Sequence, residues 1–205
     1  MEFYYTPHTC ALASHIALRE VGAEFTLRRI DFGAEEQKSA DFLKVNPKAR
    51  VPALVTDRGV LTETPAILTY IAQTWPKAGL APTDPFEHAA MQSLMSYLCS
   101  TVHVAHAHRM RGYRWADDPA AHEAMRRKVP EAVSDAWAYV EDEALIGPFA
   151  MGETHSVADP YVFTIAQWME GDGVDMARFP RIAAHREMMR ARPAVAAAIA
   201  AETDG

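Results

Sequence analysis

The first 31 residues constrain the fold of this chain more than any other stretch. Residues 2–6 (EFYYT) favour a short β-strand, because aromatic side chains suit a pleated, partly buried surface. Alanine-rich sequence from Ala11 predicts a helix, with Gly22 at the position of a C-terminal cap. Residues 25–31 (FTLRRID) predict a second strand. Strands joined through a helix pair in parallel as a right-handed βαβ unit.

The following 45 residues complete this sheet. Residues 33–44 are polar and predict a short irregular helix, and residues 52–55 and 60–62 predict two antiparallel strands around the turn TDRG. The next helix begins at TETP, where Thr62 or Thr64 is expected to cap it, and ends near Trp75. The predicted order is β-α-β-α-β-β-α, a mixed four-stranded sheet covered by helices.

The rest of the chain predicts helices only. Residues 77–86 are rich in Pro, Gly and Ala and lack periodicity, which indicates a linker between a domain at 1–76 and a second domain at 87–205. Apolar residues then recur at helical spacing, as in the stripe Met91, Leu94, Met95, Leu98 and Val102. SVAD at 156–159 has the form of a capping box that opens an unusually apolar, central helix. We therefore expect an all-α helical bundle after the linker.

Composition limits the location and the partners. With 205 residues, 49% of them hydrophobic, the chain can bury a substantial core. It has neither a secretory segment nor a stretch of about 20 apolar residues, so we expect a cytoplasmic protein without a membrane partner. A net charge of −7 argues against nucleic acid. Arg109, Arg111 and Arg114 either form a basic pocket for an acidic ligand or, as the favoured interpretation, a solvated helix face.

The two cysteines, Cys10 and Cys99, are far apart in sequence and predict neither a disulfide framework nor a cysteine-based zinc site. Cys10 lies at a strand-loop-helix junction, where the helix N-terminus is expected to stabilise a thiolate. Ala13 stands where a resolving cysteine would be needed, so dithiol cycling is not expected. The remaining alternatives are a thiol that contacts a ligand thiol and a buried, inert cysteine.

Two further motifs point to a ligand with a peptide backbone and an amino-acid head group. In ARVPAL, a cis Pro52 would present the N–H and C=O of Val51 to an extended peptide, whereas a trans proline would merely begin an edge strand. Glu63 can pair with an amine, and Thr64 with helix N–H groups can bind a carboxylate, although both can also serve only as a helix start. With Cys10, these sites match a γ-glutamyl tripeptide thiol.

Four segments in order, YYTPHTCALASHIALRE, NPKARVPAL, LTETPAIL and SVADPYVF, resemble the cytosolic glutathione transferases, and the tyrosine pair with Cys10 looks like their bacterial beta class. The resemblance covers the whole chain. It implies a thioredoxin-like N-terminal domain, an all-helical C-terminal domain, a homodimer, and glutathione as a co-substrate with no permanently bound cofactor and no metal.

Carried over residue by residue, the resemblance assigns the glutathione contacts. Cys10 is expected to face the glutathione sulfur, with Tyr5 as an auxiliary candidate, since strand alternation allows only one of Tyr4 and Tyr5 to face the ligand. Val51 and Pro52 bind the cysteinyl backbone, and Glu63 with Thr64 binds the γ-glutamyl group. The glycyl carboxylate is assigned to Gln37 or Lys38.

The second domain matches the beta class less closely. His103 is retained as a catalytic candidate, but Val104 replaces the usual lysine, and Ser96 or Cys99 stands in for an asparagine. His103, His106 and His108 do not share one helix face, so a polar pocket wall is preferred to a metal site. The second-substrate pocket is assigned to Pro7, His8, His106, Met110 and Tyr113, with Trp115 as a further member and Trp168 expected in the core.

These residues predict a glutathione transferase that adds the thiolate to largely apolar electrophiles. Two alternatives stay open. One is a thiol transferase, lyase or dehalogenase that uses Cys10 covalently, and the other is a non-catalytic binding module.

Overall fold

The computed structural model describes residues 1–203, in which a four-stranded sheet precedes a set of helices. The strands are β1 (Glu2–Tyr5), β2 (Thr26–Arg29), β3 (Ala53–Thr56) and β4 (Gly59–Thr62). They lie in the order β2-β1-β3-β4, with β1 parallel to β2 and β3 antiparallel to both β1 and β4. The predicted mixed sheet and its βαβ unit are confirmed.

The α-helices bear out the predicted sequence of elements. They are α1 (Ala11–Glu20), α2 (Ala40–Val45), α3 (Thr64–Thr74), α4 (Pro85–Tyr97), α5 (His103–Ala107), α6 (Pro119–Tyr139), α7 (Ala158–Ala166), α8 (Pro180–Arg190) and α9 (Pro193–Thr203). A π-helical turn, Leu98–Val102, joins α4 to α5. Between residues 1 and 203, no helix combines the length and apolar character that a membrane crossing requires. The thioredoxin-like domain followed by a helical domain is therefore confirmed as the fold class.

The core forms where α1 lies between the sheet and α7. Phe3 pairs with Leu27 on one side and Leu54 on the other, and Phe3 and Leu54 are fully buried. Helix α1 packs against α3, α7 and α9, so it contacts both parts of the chain. Every residue of α7 is buried, which confirms the prediction of a central helix.

The start of α7 is held by the predicted box. Asp159 accepts hydrogen bonds from Ser156 N at 2.7 Å and Ser156 Oγ at 3.1 Å, and its other oxygen accepts from Ala150 N at 2.7 Å and His185 Nε2 at 2.9 Å. Ser156 Oγ accepts from Ala158 N, so the helix begins one residue later than a Ser156 cap implies. One buried carboxylate thus joins α7, the preceding loop and α8.

Two helix starts differ from their predictions. Glu63, and neither Thr62 nor Thr64, is the residue before α3, and its side chain makes no capping bond. Its φ of 72° turns the chain from β4 into the helix, which therefore begins at Thr64. Helix α4 begins at Pro85, inside the predicted linker, because the carboxylate of Asp84 accepts hydrogen bonds from the amides of Phe86 and Glu87.

Candidate functional site

A cavity of about 610 Å³ lies between the edge of the sheet and the helices that follow residue 85. This volume falls within the roughly 300–1,000 Å³ that small-molecule sites occupy. Eleven of the residues assigned from the sequence line it: Cys10, Val51, Pro52, Glu63, Thr64, Cys99, His103, His8, His106, Met110 and Trp115. The β1–α1 loop, the β3 entry and the α3 start supply one wall, and the π-helical turn with α5 supplies the other.

Cys10 is the residue before α1. The sequence predicted a stabilised thiolate at this position, but the thiol is neutral. Burial raises its pKa to about 11, and the opposing effects of the Thr64 side chain and the positive charge of Arg111 are smaller. The backbone of Cys10 is already helical, and its side chain makes no capping bond, so the sulfur is not directed at the amides of the first turn. Its Sγ instead lies 3.8 Å from the carbonyl oxygen of Val51 as a neutral donor.

The backbone of Val51 faces the cavity beside this thiol. The Val51–Pro52 peptide bond is cis, as predicted, and both residues line the cavity. Strand β3 begins one residue later at Ala53, because Pro52 has no N–H to donate. An extended ligand in the cavity would therefore pass beside Val51 and Pro52.

Glu63 and Thr64 form the next part of the same wall. The positive φ of Glu63 is uncommon for a residue with a side chain, and it holds the carboxylate at the cavity margin. Lys48 Nζ contacts the Glu63 carboxylate and donates to Thr62 Oγ1 at 2.7 Å. A ligand amine binding to Glu63 would share the carboxylate with Lys48.

The opposite wall is aromatic and contains neutral histidine. His103 lies edge-on to Trp168 with ring centroids 5.1 Å apart, and Cys99 and Tyr161 line the cavity nearby. Burial, followed by electrostatic interaction with His106 and with nearby arginines, lowers the pKa of His103 to about 4. Near neutral pH, His103 therefore acts as a hydrogen-bonding group and supplies no positive charge.

His106 lines the cavity but both of its nitrogens are engaged. Its Nε2 accepts a hydrogen bond from Trp137 Nε1 at 2.9 Å, so the ring proton is on Nδ1. Nδ1–H donates to the carboxylate of Asp172. Asp172 also accepts from Arg109 at 2.9 Å. His106 therefore shapes the wall and has no free nitrogen for a ligand. His108 stacks on Trp115 instead of joining the other two histidines.

Arginines line the outer part of the cavity, contrary to the favoured interpretation of a solvated helix face. They are Arg50, Arg109, Arg111 and Arg114. The guanidinium of Arg111 lies 5.8 Å from the ring centroid of Phe32. The cluster in RMRGYR was visible in the sequence, but its direction depends on packing against the N-terminal domain. Trp168, expected in the core, lines the cavity as well.

Three residues assigned to glutathione contacts lie outside the cavity. Lys38 pairs with Glu35 on the surface, and Gln37 precedes it in the turn Glu36–Lys38, and neither residue lines the cavity. Ser96 is exposed on α4, one turn before the helix reaches the cavity at Cys99.

Tyr5, Pro7 and Tyr113 are also absent from the residues that line the cavity. Tyr5 is buried on the other face of the sheet, where its ring centroid is 6.1 Å from that of His15. Because the chain turns at His8, which has a φ of 61°, His8 faces the cavity in place of Pro7. Tyr113 is 63% exposed, since the turn Gly112–Arg114 directs it to solvent while its neighbours face inward.

Comparisons with known proteins agree with this geometry. A model of the glutathione S-transferase N-terminal domain matches residues 3–73. The chain is 31% identical to glutathione S-transferase GstA of Escherichia coli O157:H7, over 98% of each protein. A solved glutathione transferase homologue from Sulfitobacter with bound glutathione has a TM-score of 0.93 at 47% identity, covering 96% of this chain and 95% of that one. The beta class glutathione S-transferase of Sphingomonas chungbukensis has a TM-score of 0.85 at 37% identity, covering 98% of each.

Proposed function

Since this chain belongs to the glutathione S-transferase family, we propose that it joins the thiol of glutathione to electrophilic small molecules with a largely apolar body. The observation that carries the proposal is the sequence of groups along one wall. Cys10, Val51 beside the cis Pro52, and Glu63 with Thr64 line the same cavity and supply groups suited to a thiol, a peptide backbone and an amino-acid head group. Glutathione would enter as a co-substrate, not as a resident cofactor.

The reaction needs a glutathione thiolate near neutral pH. A thiol with a pKa of about 8.5 is only about 3% ionised at pH 7, and stabilising the anion by about 2 kcal/mol ionises roughly half of it. The neutral S–H of Cys10 can donate a hydrogen bond to that anion, and the charge of Arg111 acts at the same place. His103 would contribute as a neutral donor.

The electrophile would lie beside the sulfur against the second wall. Trp115, Trp168 and Met110 provide apolar surface there. Assembly as a homodimer and a cytoplasmic location remain predictions from the sequence, and light scattering on the purified protein measures the first of them.

A second candidate function is glutathione-dependent disulfide exchange. The sequence suggested that a mixed disulfide on Cys10 could be cleared only by another glutathione, because Ala13 is not a cysteine. Cys99, however, lines the same cavity as Cys10. A second thiol on the opposite wall favours this alternative enough to test it directly.

The proposed function is tested at Glu63. Glu63→Gln should raise the glutathione dissociation constant about tenfold or more, because a charge-assisted hydrogen bond contributes about 1.5 to 3 kcal/mol. Titration calorimetry measures this, and Glu143→Gln, an exposed surface change, is the matched control. Unchanged affinity, or a loss of affinity that merely follows a loss of folding, would refute the role of Glu63.

A further inference from the structure

The mouth of the cavity carries positive charge that the protein does not neutralise. Of its four arginines, only Arg109 has an ion-pair partner within residues 1–203, the carboxylate of Asp172 at 2.9 Å. Arg50, Arg111 and Arg114 have none. The other carboxylate of the cavity lining, Glu63, already pairs with Lys48.

These three guanidinium groups are close enough to act on one another. Burial lowers the pKa of Arg114, and the charges of Arg111 and Arg50 lower it further. The same three charges act on His103, and Arg111 also acts on the Cys10 thiol. Because like charges repel, their assembly at one cavity is stabilised when an anion binds between them.

Glutathione accounts for only part of this charge. Its γ-glutamyl carboxylate would lie at the start of α3, where helix amides are available. Its glycyl carboxylate loses the predicted partners, since Gln37 and Lys38 lie outside the cavity. Arg50 directly precedes Val51 and is the nearest cation in sequence to the peptide-binding backbone. Arg111 and Arg114 remain for another ligand.

We propose that Arg111 and Arg114 bind a carboxylate of the second substrate, so that the preferred electrophiles are anions with an aromatic or otherwise apolar body. This inference rests on the proposed function. The planar fork of a guanidinium group matches a carboxylate in a bidentate geometry. Trp115 and Trp168 lie beside the arginines to contact the apolar body.

The probe pair is 4-chloro-3,5-dinitrobenzoate and its methyl ester. In both, the glutathione thiolate forms a C–S bond at the chlorine-bearing carbon, the C–Cl bond breaks, chloride leaves with the electron pair, and the thiol proton passes to solvent. Each enzymatic kcat/KM is divided by the rate constant of the uncatalysed reaction with glutathione. The acid should exceed the ester in this ratio by about tenfold or more, as expected for charge-assisted hydrogen bonds.

The variant Arg111→Gln/Arg114→Gln should remove that preference: the ratio for the acid should fall about tenfold to a hundredfold further than the ratio for the ester, which loses only the effect of the Arg111 charge near Cys10. Arg58→Gln/Arg127→Gln removes the same charge from exposed positions outside the cavity and should change neither substrate. Equal loss on both substrates would mean that the arginines act on the reacting centre in general and would overturn the inference. A loss of glutathione affinity would assign them to glutathione and overturn it as well.

Binding separates this inference from the proposed function. The dissociation constants of 3,5-dinitrobenzoate and its methyl ester, which cannot react, are measured by tryptophan fluorescence, and the acid should bind at least about tenfold more tightly. If glutathione fails to bind, the proposed function is wrong. If the acid and the ester bind equally while glutathione binds normally, only the inference that Arg111 and Arg114 bind a carboxylate is wrong.

Discussion

At the scale of single residues, the chemistry of Cys10 depends on its surroundings more than on its place before a helix. Burial raises its pKa to about 11, so at neutral pH the residue is a hydrogen-bond donor and a weak nucleophile. A donor suits conjugation, in which Cys10 has to steady another thiolate. It suits disulfide exchange poorly, in which Cys10 itself has to attack.

Replacing Cys10 separates the two reactions. Cys10→Ala should abolish thiol-transferase activity and lower conjugation by about one to two orders of magnitude, the effect of losing one charge-assisted hydrogen bond. Both activities are measured on the same preparation. Cys99→Ser is the matched control: it leaves conjugation nearly unchanged if Cys99 only lines the wall. Complete loss of conjugation in Cys10→Ala would make Cys10 a covalent catalyst and contradict the mechanism.

At the scale of secondary-structure elements, the entry to α7 holds the helical domain together. Burial alone would raise the pKa of Asp159, but hydrogen bonding and charge from His185, with the Ala150 amide, lower it overall. Because the folded-state pKa lies below the ordinary value of 3.8, the ionised group stabilises the fold above that pH, and the contribution is lost as the pH falls below it. The box is therefore structural, as its sequence indicated.

Removing this carboxylate should destabilise the protein without touching the ligand site. Asp159→Ala leaves buried donors of Ser156, Ala150 and His185 without an acceptor, and each such group costs about 1 to 3 kcal/mol. Denaturant unfolding measures the loss, and glutathione affinity of the folded fraction should stay normal. Asp175→Ala, which removes an exposed cap, should cost far less. Weaker glutathione binding at unchanged stability would show that the ligand site had been misplaced.

At the scale of the whole molecule, the two parts of the chain meet through α1. His15 Nε2 accepts from Arg19 Nε, so its Nδ1 carries the proton and donates to Glu202 on α9 at 2.9 Å. Arg192, which precedes α9, binds Glu20 at the end of α1 through two hydrogen bonds of 2.8 Å. The last helix is thereby joined to the helix that begins beside Cys10.

This connection predicts a stability effect far from the cavity. Glu202→Ala leaves the buried Nδ1–H of His15 without an acceptor and should lower the free energy of unfolding by about 1 to 3 kcal/mol. Denaturant titration followed by circular dichroism checks it, with the exposed Glu187→Ala as the control. The transition should remain single. A separate early transition for the helical domain would contradict the tight coupling of the two parts.

The local features of the fold and of the site could be predicted from the sequence, because they depend on residues that are neighbours along the chain. The resemblance to the beta class, the cis Pro52 and the central helix are confirmed. Tyr5 does not line the cavity and Arg111 does, and one physical reason explains both differences from the sequence expectation. Strand alternation and helix spacing tell which residues share a face, but the packing of distant segments decides which face meets the cavity.

The uneven distribution of charge has a kinetic consequence. The chain carries a net charge of −7, yet the cavity mouth presents guanidinium groups. The net negative charge repels anions at a distance, whereas the guanidinium groups attract them to this opening, where the local field raises the frequency of productive encounters. The Debye length shortens from about 10 Å at 0.1 M salt to about 3 Å at 1 M. Association of anions should therefore slow with rising ionic strength, while neutral molecules enter at an almost constant rate.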